Sequence, residues 1–393
     1  MSLTDSVYEE GRCPEMITPR ESAASEGGDC VIVGAGVGGS LLALLLGRAG
    51  KRVTVLENAA AVATKGADFL KPRGIRILDE LGLLPELARR DVLRRDTIDF
   101  FHDGSLTLSY RFAERTGLGY FVIAPYQDIV GMILDACADL PNVDVRFSTR
   151  PVGIEEDDSR VTAVRLADGS RLRAPVFVDT TGPGSPLYDF VAPKRETGTY
   201  DHVLRMATVP LNPGTAERNR LWFSSDGWFA YLYPFGTGQA RMFVGVPQSM
   251  DVKVFEERTI DLGARLGGFT TEGAEFLGRL DAGSFERVPI GSLVSAPYHR
   301  ANVALLGHAA FACHPMTGQG MSYTMEDATA LADILTADHP GPRLRRLLDE
   351  YDEARHDVHA ALVEYGDKLA LTYPDRDAHL ALLVSSPMHG GDL

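Results

Sequence analysis

Between residues 30 and 58 the pattern of apolar positions changes twice. Val31 to Val33 is a short β-branched run ended by glycine, which reads as a buried strand. Leu41 to Leu46 is apolar for more than a helical turn, and Arg52 to Leu56 returns to a strand pattern that closes on Glu57. A βαβ unit is predicted.

Further along, Pro72 to Leu81 sets Ile75, Leu78 and Leu81 at helical spacing and stops at Gly82. Strands are predicted at Thr97 to Phe101 and Leu106 to Phe112 around a turn at 102–105. A helix follows over 128–140, then strands at Val143 to Phe147, Gly153 to Glu156 and Val161 to Leu166, with a turn at 167–170. Ala174 to Asp179 is an apolar strand that runs into Gly182-Pro183-Gly184-Ser185.

From about 196 to 286 the chain turns aromatic and alternating, with strands at Val203 to Val209, Asn219 to Phe223, Trp228 to Pro234 and Ala240 to Val246. This predicts a separate antiparallel sheet, packed on one face and roofing an apolar pocket with the other through Trp222, Phe223, Phe229, Tyr231, Tyr233 and Phe243. Another buried strand (302–307) leads through a glycine-rich loop to a helix at 322–335, and 344–371 reads as one or two amphipathic surface helices. Residues 1–28 are polar without periodicity and read as a loose tail; 59–66 reads as loop. The fold class is α/β, a Rossmann-like domain interleaved with an antiparallel-sheet domain and followed by C-terminal helices.

Three glycine-bearing turns carry the candidate chemistry. Gly34, Gly36 and Gly39 follow the first strand in G-x-G-x-x-G spacing, which allows a tight turn, close approach of a pyrophosphate and close helix packing. Glu57, roughly 20 residues further on, suits both hydroxyls of an adenosine ribose and disfavours a 2′-phosphate, so FAD or NAD is expected and NADP is not. Gly182 lies in a turn that brings backbone up to a ligand. Gly307, His308, Pro315, Gly318, Gly320 and Met321 gather amide groups at the start of the 322–335 helix, a place that stabilises negative charge.

Charge narrows the partners. With 54 acidic and 39 basic residues the net charge is −15, which repels nucleic acid. The four cysteines (Cys13, Cys30, Cys137, Cys313) are scattered, with no C-x-x-C pair. Nothing resembles a secretory leader or a transmembrane segment, so a cytoplasmic protein is expected. His299, His308 and His314 lack the carboxylates or thiolates that would complete a metal site, so none is expected.

Taken together these segments resemble the FAD-dependent group A flavoprotein monooxygenases, which share the para-hydroxybenzoate hydroxylase fold and include squalene epoxidase-like relatives. The resemblance spans roughly 29–360 and rests on Gly34-x-Gly36-x-x-Gly39 with Glu57, on Gly182-x-x-Ser185, on Leu306-Gly307-His308-Ala309-Ala310 leading to Pro315-x-x-Gly318-x-Gly320, and on Tyr351 with Arg355. It implies an FAD-binding domain from 29–95, 117–185 and 287–340, a substrate domain from 96–116 and 186–286, and a helical segment over 341–393. It further implies noncovalent FAD and transient NAD(P)H. Molecular oxygen would add at flavin C4a, and the resulting hydroperoxide would hydroxylate or epoxidise an apolar, aromatic or polycyclic small molecule.

The chain departs from the family at three positions: His308 stands where Asp is usual, Thr181 where Asp is usual, and Tyr126 where Arg is frequent. Weaker FAD retention is expected. His308, Tyr231 and Arg205 are the candidate catalytic residues, and Arg205 or Arg241 would orient an anionic substrate. Gly227-Trp228-Phe229-Ala230-Tyr231-Leu232-Tyr233-Pro234 is loosely similar to a flavin-dependent halogenase motif, but no lysine falls between Lys71 and Lys194 to take up hypohalite. A prenyl reductase of the same fold and a non-catalytic FAD- or lipid-binding protein are the remaining alternatives.

Overall fold

The computed structural model describes residues 25–63, 69–90, 92–211, 219–236, 238–268, 280–337 and 341–385. Part of the predicted tail (1–24) and part of the predicted loop (64–66) lie outside them.

A six-stranded sheet organises the first half of the fold, in the order His299–Arg300, Val303–Leu305, Val176–Asp179, Cys30–Val33, Val53–Leu56, Val143–Arg146. Its strands are parallel except for the edge hairpin at His299–Arg300. Cys30–Val33 is buried at every position, as a central strand covered on both faces must be. The helix Val37–Arg48 is apolar nearly all round because it is wedged between this sheet and the helices Tyr126–Ala138 and Gly320–Thr336. Leu41, Leu42, Leu44 and Leu46 are at most 1% exposed, each burial contributing about 1.5–3 kcal/mol before chain entropy is counted.

A second sheet has seven strands: Glu286–Val288, His202–Pro210, Gln239–Pro247, Phe229–Phe235, Asn219–Phe223, Thr97–His102, Ser105–Arg111. The early hairpin thus extends the late aromatic sheet, through a parallel pairing of Asn219–Phe223 with Thr97–His102. Alternation along Phe229–Phe235 divides its side chains. Ala230 and Leu232 join an outer core with Trp222, Trp228 and Phe255, whereas Phe229 and Tyr231 join an aromatic core with Phe223 and Tyr373.

The predicted helices at 72–81, 128–140, 322–335 and 344–371 appear as Pro72–Glu80, Tyr126–Ala138, Gly320–Thr336 and Gly341–Thr372, with a further helix at Arg376–Ser385. The long C-terminal helix is more than a surface element. Arg355 reaches the buried Asp327 at 2.5 Å, and His359 Nε2 lies 2.9 Å from the same carboxylate, so this helix is bolted to Gly320–Thr336.

The tail reading fails at its end. Ser25–Glu26 pairs in parallel with Arg171–Arg173, and Gly28 bridges Val53, because backbone pairing needs no apolar pattern in the sequence. No helix among the described residues is long and apolar enough to cross a membrane.

Candidate functional site

Register brings the sequence motifs together. Val33 pairs with both Leu56 and Asp179, and Asp179 pairs with Leu305, so four strands end side by side. The glycine loop, Glu57, the Thr180–Ser185 turn and the Gly307 loop therefore leave one edge of the parallel sheet at its carboxyl ends, where open α/β sheets bind ligands.

The glycines have distinct tasks. A Cβ on Gly39 would fall on the carbonyl oxygen of Gly34, so this glycine is demanded by helix–strand packing. A Cβ on Gly36 would meet only the Tyr126 hydroxyl, at 3.1 Å, so apart from that phenol oxygen the fold keeps this face of the helix N-terminus open to a ligand. Glu57 is already engaged: its Oε2 accepts the Ala35 amide at 2.9 Å and its Oε1 the Ala59 amide at 2.8 Å. These bonds fix the carboxylate beside the loop and leave lone pairs for further donors.

In the second wall, where Thr181 stands in place of an aspartate, the carboxylate that orders the turn is Asp179. Its Oδ1 accepts the Thr181 amide and hydroxyl, each at 2.7 Å, and the Gly182 amide at 3.3 Å. Burial still pushes this carboxyl up from its ordinary value, against the lowering effect of those bonds. Gly182, at φ +91°, lies against the His308 backbone.

The loop before helix Gly320–Thr336 is held from behind. His314 Nδ1 accepts the Met316 amide at 3.2 Å, and the Lys71 ammonium donates to the Thr317 carbonyl at 2.8 Å. Burial pushes the Lys71 amine down to about 7. Gly318 takes φ +56° to close the turn. The 17-residue helix that follows directs its N-terminus, through Gly320 and Met321, into the cavity.

A cavity of about 860 Å³ runs along these elements, from Gly36, Val37 and Gly38 past Thr180 and Pro183 to His308 and the 315–321 loop, and ends under the antiparallel sheet at Met206, Tyr231, Tyr233 and Phe243. Of the predicted cofactor residues, Gly36, Gly307, His308, Pro315, Gly318, Gly320 and Met321 line it; Gly34, Gly39, Glu57 and Gly182 shape the strand ends behind. His308 is exposed to the cavity, and desolvation lowers its pKa, which favours the neutral imidazole.

The sheet residues sort less as predicted. Tyr231, Tyr233 and Phe243 face the cavity, whereas Trp222 lies on the outer face, stacked near Phe101, and Phe223 and Phe229 pack against Tyr373. Arg205 is a correction: alternation turns it away from Met206 to the outer face, where Asp251 holds it with two bonds at 2.8 and 2.9 Å. Arg241 is buried and donates to Thr208 at 2.6 Å. Two other arginines border the cavity, Arg195 and Arg287; Arg287 stands directly opposite Arg205 in the sheet, so its side chain shares the outer face, which leaves Arg195 as the arginine the cavity can use. Both lie on short strands of the second half (Lys194–Gly198 and Glu286–Val288) whose sequence carries no strand signal, so nothing singled them out.

The residues fit FAD by geometry: an open glycine face at a helix N-terminus, an acidic group at the next strand end, and a cavity long enough to continue past both. Among the described residues no three His, Cys, Asp or Glu side chains come together that could hold a metal ion.

Comparison with known proteins agrees. The family described as FAD binding domain matches residues 28–365. Para-nitrophenol 4-monooxygenase of Pseudomonas sp. strain WBC-3 is 28% identical over 84% of this chain and 82% of its own length. The 3-amino-4-hydroxybenzoate 2-monooxygenase PtmB3 of Streptomyces platensis is 30% identical over 86% and 88%. Among solved structures, Pseudomonas aeruginosa PqsL in complex with 2-aminobenzoylacetate superposes with a TM-score of 0.84 at 35% identity, covering 91% of this chain and 99% of that one. The chain belongs to the group A family of FAD-dependent monooxygenases.

Proposed function

We propose that the protein hydroxylates an aromatic substrate carrying a polar or anionic group, with FAD along the glycine-rich walls and the substrate beneath Tyr231, Tyr233 and Phe243. One observation carries the substrate side. The Tyr231 hydroxyl is buried at the cavity wall and has no hydrogen-bond partner among the described residues, so a ligand is needed to satisfy it. Burial raises the pKa of this phenol well above its ordinary value, so at neutral pH it keeps its proton and can donate to a substrate oxygen or nitrogen.

Apolar walls (Phe69, Met206, Ile290, Phe243) exclude water and receive the ring. Arg195 gives an otherwise acidic protein a cation at the same cavity, which supports an anionic handle on the substrate. The relatives act on a nitrophenol and an aminohydroxybenzoate and hold an aminobenzoylacetate, all small substituted aromatics.

Bound FAD, once reduced by NAD(P)H, supplies the electrons that activate oxygen and deliver one of its atoms. The chain's part is to position and stabilise. Gly34, Gly36 and Gly39 admit the pyrophosphate, Glu57 takes the ribose, and the amides around Pro315, Gly318, Gly320 and Met321 face the ring edge where negative charge gathers on reduction. His308, neutral at the cavity wall, is placed to accept or donate one hydrogen bond.

The test is turnover of 4-nitrophenol, 3-amino-4-hydroxybenzoate and 2-aminobenzoylacetate with FAD and NADH or NADPH. Oxygen-dependent hydroxylation that is indifferent to chloride and bromide is expected. A halogenated product, or a saturated product formed without air, would overturn the reading.

A further inference from the structure

The N-terminal amides of helix Val37–Arg48 are what the glycine loop exposes, and one of them already has a partner. Val37 N donates to the Tyr126 hydroxyl at 3.2 Å. The same oxygen is the one atom a Cβ on Gly36 would meet, at 3.1 Å, so the phenol rests on the glycine face that a pyrophosphate must approach. Helix Val37–Arg48 has no side-chain cap of its own; the first amide with an acceptor inside the helix is that of Ser40, on the Gly36 carbonyl.

Tyr126 is fixed in this position by its own chain. It is the first residue of helix Tyr126–Ala138, held by Pro125 before it, and it lines the cavity. Burial, partly offset by the Val37 amide, raises its pKa, so it stays a neutral phenol.

We infer that Tyr126 is a removable plug in the flavin pyrophosphate seat, a polar placeholder that caps Val37 and must yield this amide to a phosphate oxygen each time FAD binds. This rests on the flavin assignment above. A phosphate carries full negative charge and takes helix N-terminal amides more strongly than a neutral phenol oxygen does, so FAD wins the exchange. The lost phenol bond is subtracted from the binding free energy, and the cofactor is held weakly and exchanges readily. The exchange concerns the phosphates alone, so it distinguishes ligands with a pyrophosphate from those without.

The experiment compares wild type and Tyr126→Phe, with cofactor removed, for binding of FAD, ADP and riboflavin by fluorescence and calorimetry. Tyr126→Phe keeps the ring and removes the competing oxygen. It is expected to tighten FAD and ADP by about threefold to tenfold, one neutral hydrogen bond, and to leave riboflavin unchanged. Should that variant not fold, Tyr126→Arg serves in its place: a cation at the seat is expected to tighten FAD at low salt and to lose the gain in 1 M salt, about a 3 Å screening length. Equal or weaker FAD binding in Tyr126→Phe, or equal tightening of riboflavin, would overturn the plug and leave the flavin site standing. A wild-type chain that takes up neither FAD nor ADP would overturn the seat and the plug together.

Discussion

His202, on the cavity-side face of the antiparallel sheet, and His314, at the root of the loop before helix Gly320–Thr336, meet Nε2 to Nε2 at 3.0 Å. The Met316 amide donates to His314 Nδ1, which leaves the His314 hydrogen on Nε2, pointing at His202. The pair joins the antiparallel sheet to the loop before helix Gly320–Thr336. It holds only while both rings are neutral, since a second proton would set two donors against each other.

Burial lowers both groups, His202 to about 4 and His314 to about 3. With the ordinary value near 6.5, the unfolded chain binds these protons first as pH falls. Stability contributed by the pair is therefore complete above about pH 6.5 and is lost as pH drops through the window down to about 4 and 3, with a slope of up to about 1.4 kcal/mol per pH unit for each ring. Urea unfolding between pH 4 and 7 is expected to show this slope in wild type and a shallower one in His202→Phe. Equal slopes would place the acid sensitivity elsewhere.

The two loop glycines should fail differently. Gly36→Val puts its methyl groups on the open face of the helix N-terminus, so the chain is expected to fold with a melting temperature near wild type and to lose FAD. Gly39→Ala drives a methyl group into the Gly34 carbonyl and is expected to cost about 1–3 kcal/mol in stability, overpacking at a rigid contact. Melting curves alongside flavin titration separate the two outcomes; FAD retained by Gly36→Val would remove the loop from the site.

Much of this was legible in the chain. Strand, helix and glycine signals at 30–57 and 302–335 are local, and each element they predict formed where expected. The convergence of Gly36, Gly182 and Gly307 depends on register between strands far apart in sequence, and only the family resemblance anticipated it. What stayed hidden lies where tertiary contacts decide. Alternation puts Phe229 on the face of Tyr231 but gives no sign that Tyr373 covers it, and it does not tell which face of Asn219–Phe223 looks into the cavity, so Trp222 is expected there and lies on the outer face. Arg205 looked available because Asp251, 46 residues on, gives no sign in the sequence of being its partner. Arg195 and Arg287 sit on strands too short to show a period.

Arg195 carries the expected preference for anionic substrates. Arg195→Gln should raise KM for 2-aminobenzoylacetate or 3-amino-4-hydroxybenzoate by about threefold to tenfold, as loss of a partly solvated charge-assisted bond would, while FAD affinity stays unchanged; Arg287→Gln, on the outer face, should leave KM unchanged. A fall in kcat with constant KM would point instead to a role in the chemical step.

The most direct measurement is the origin of the oxygen in the product. Turnover under labelled oxygen gas, with FAD, NAD(P)H and whichever of the three aromatic probes is consumed, is expected to place one labelled atom in the product and the other in water. Product that carries oxygen from water, or forms equally well under anaerobic conditions, would contradict monooxygenation by this site.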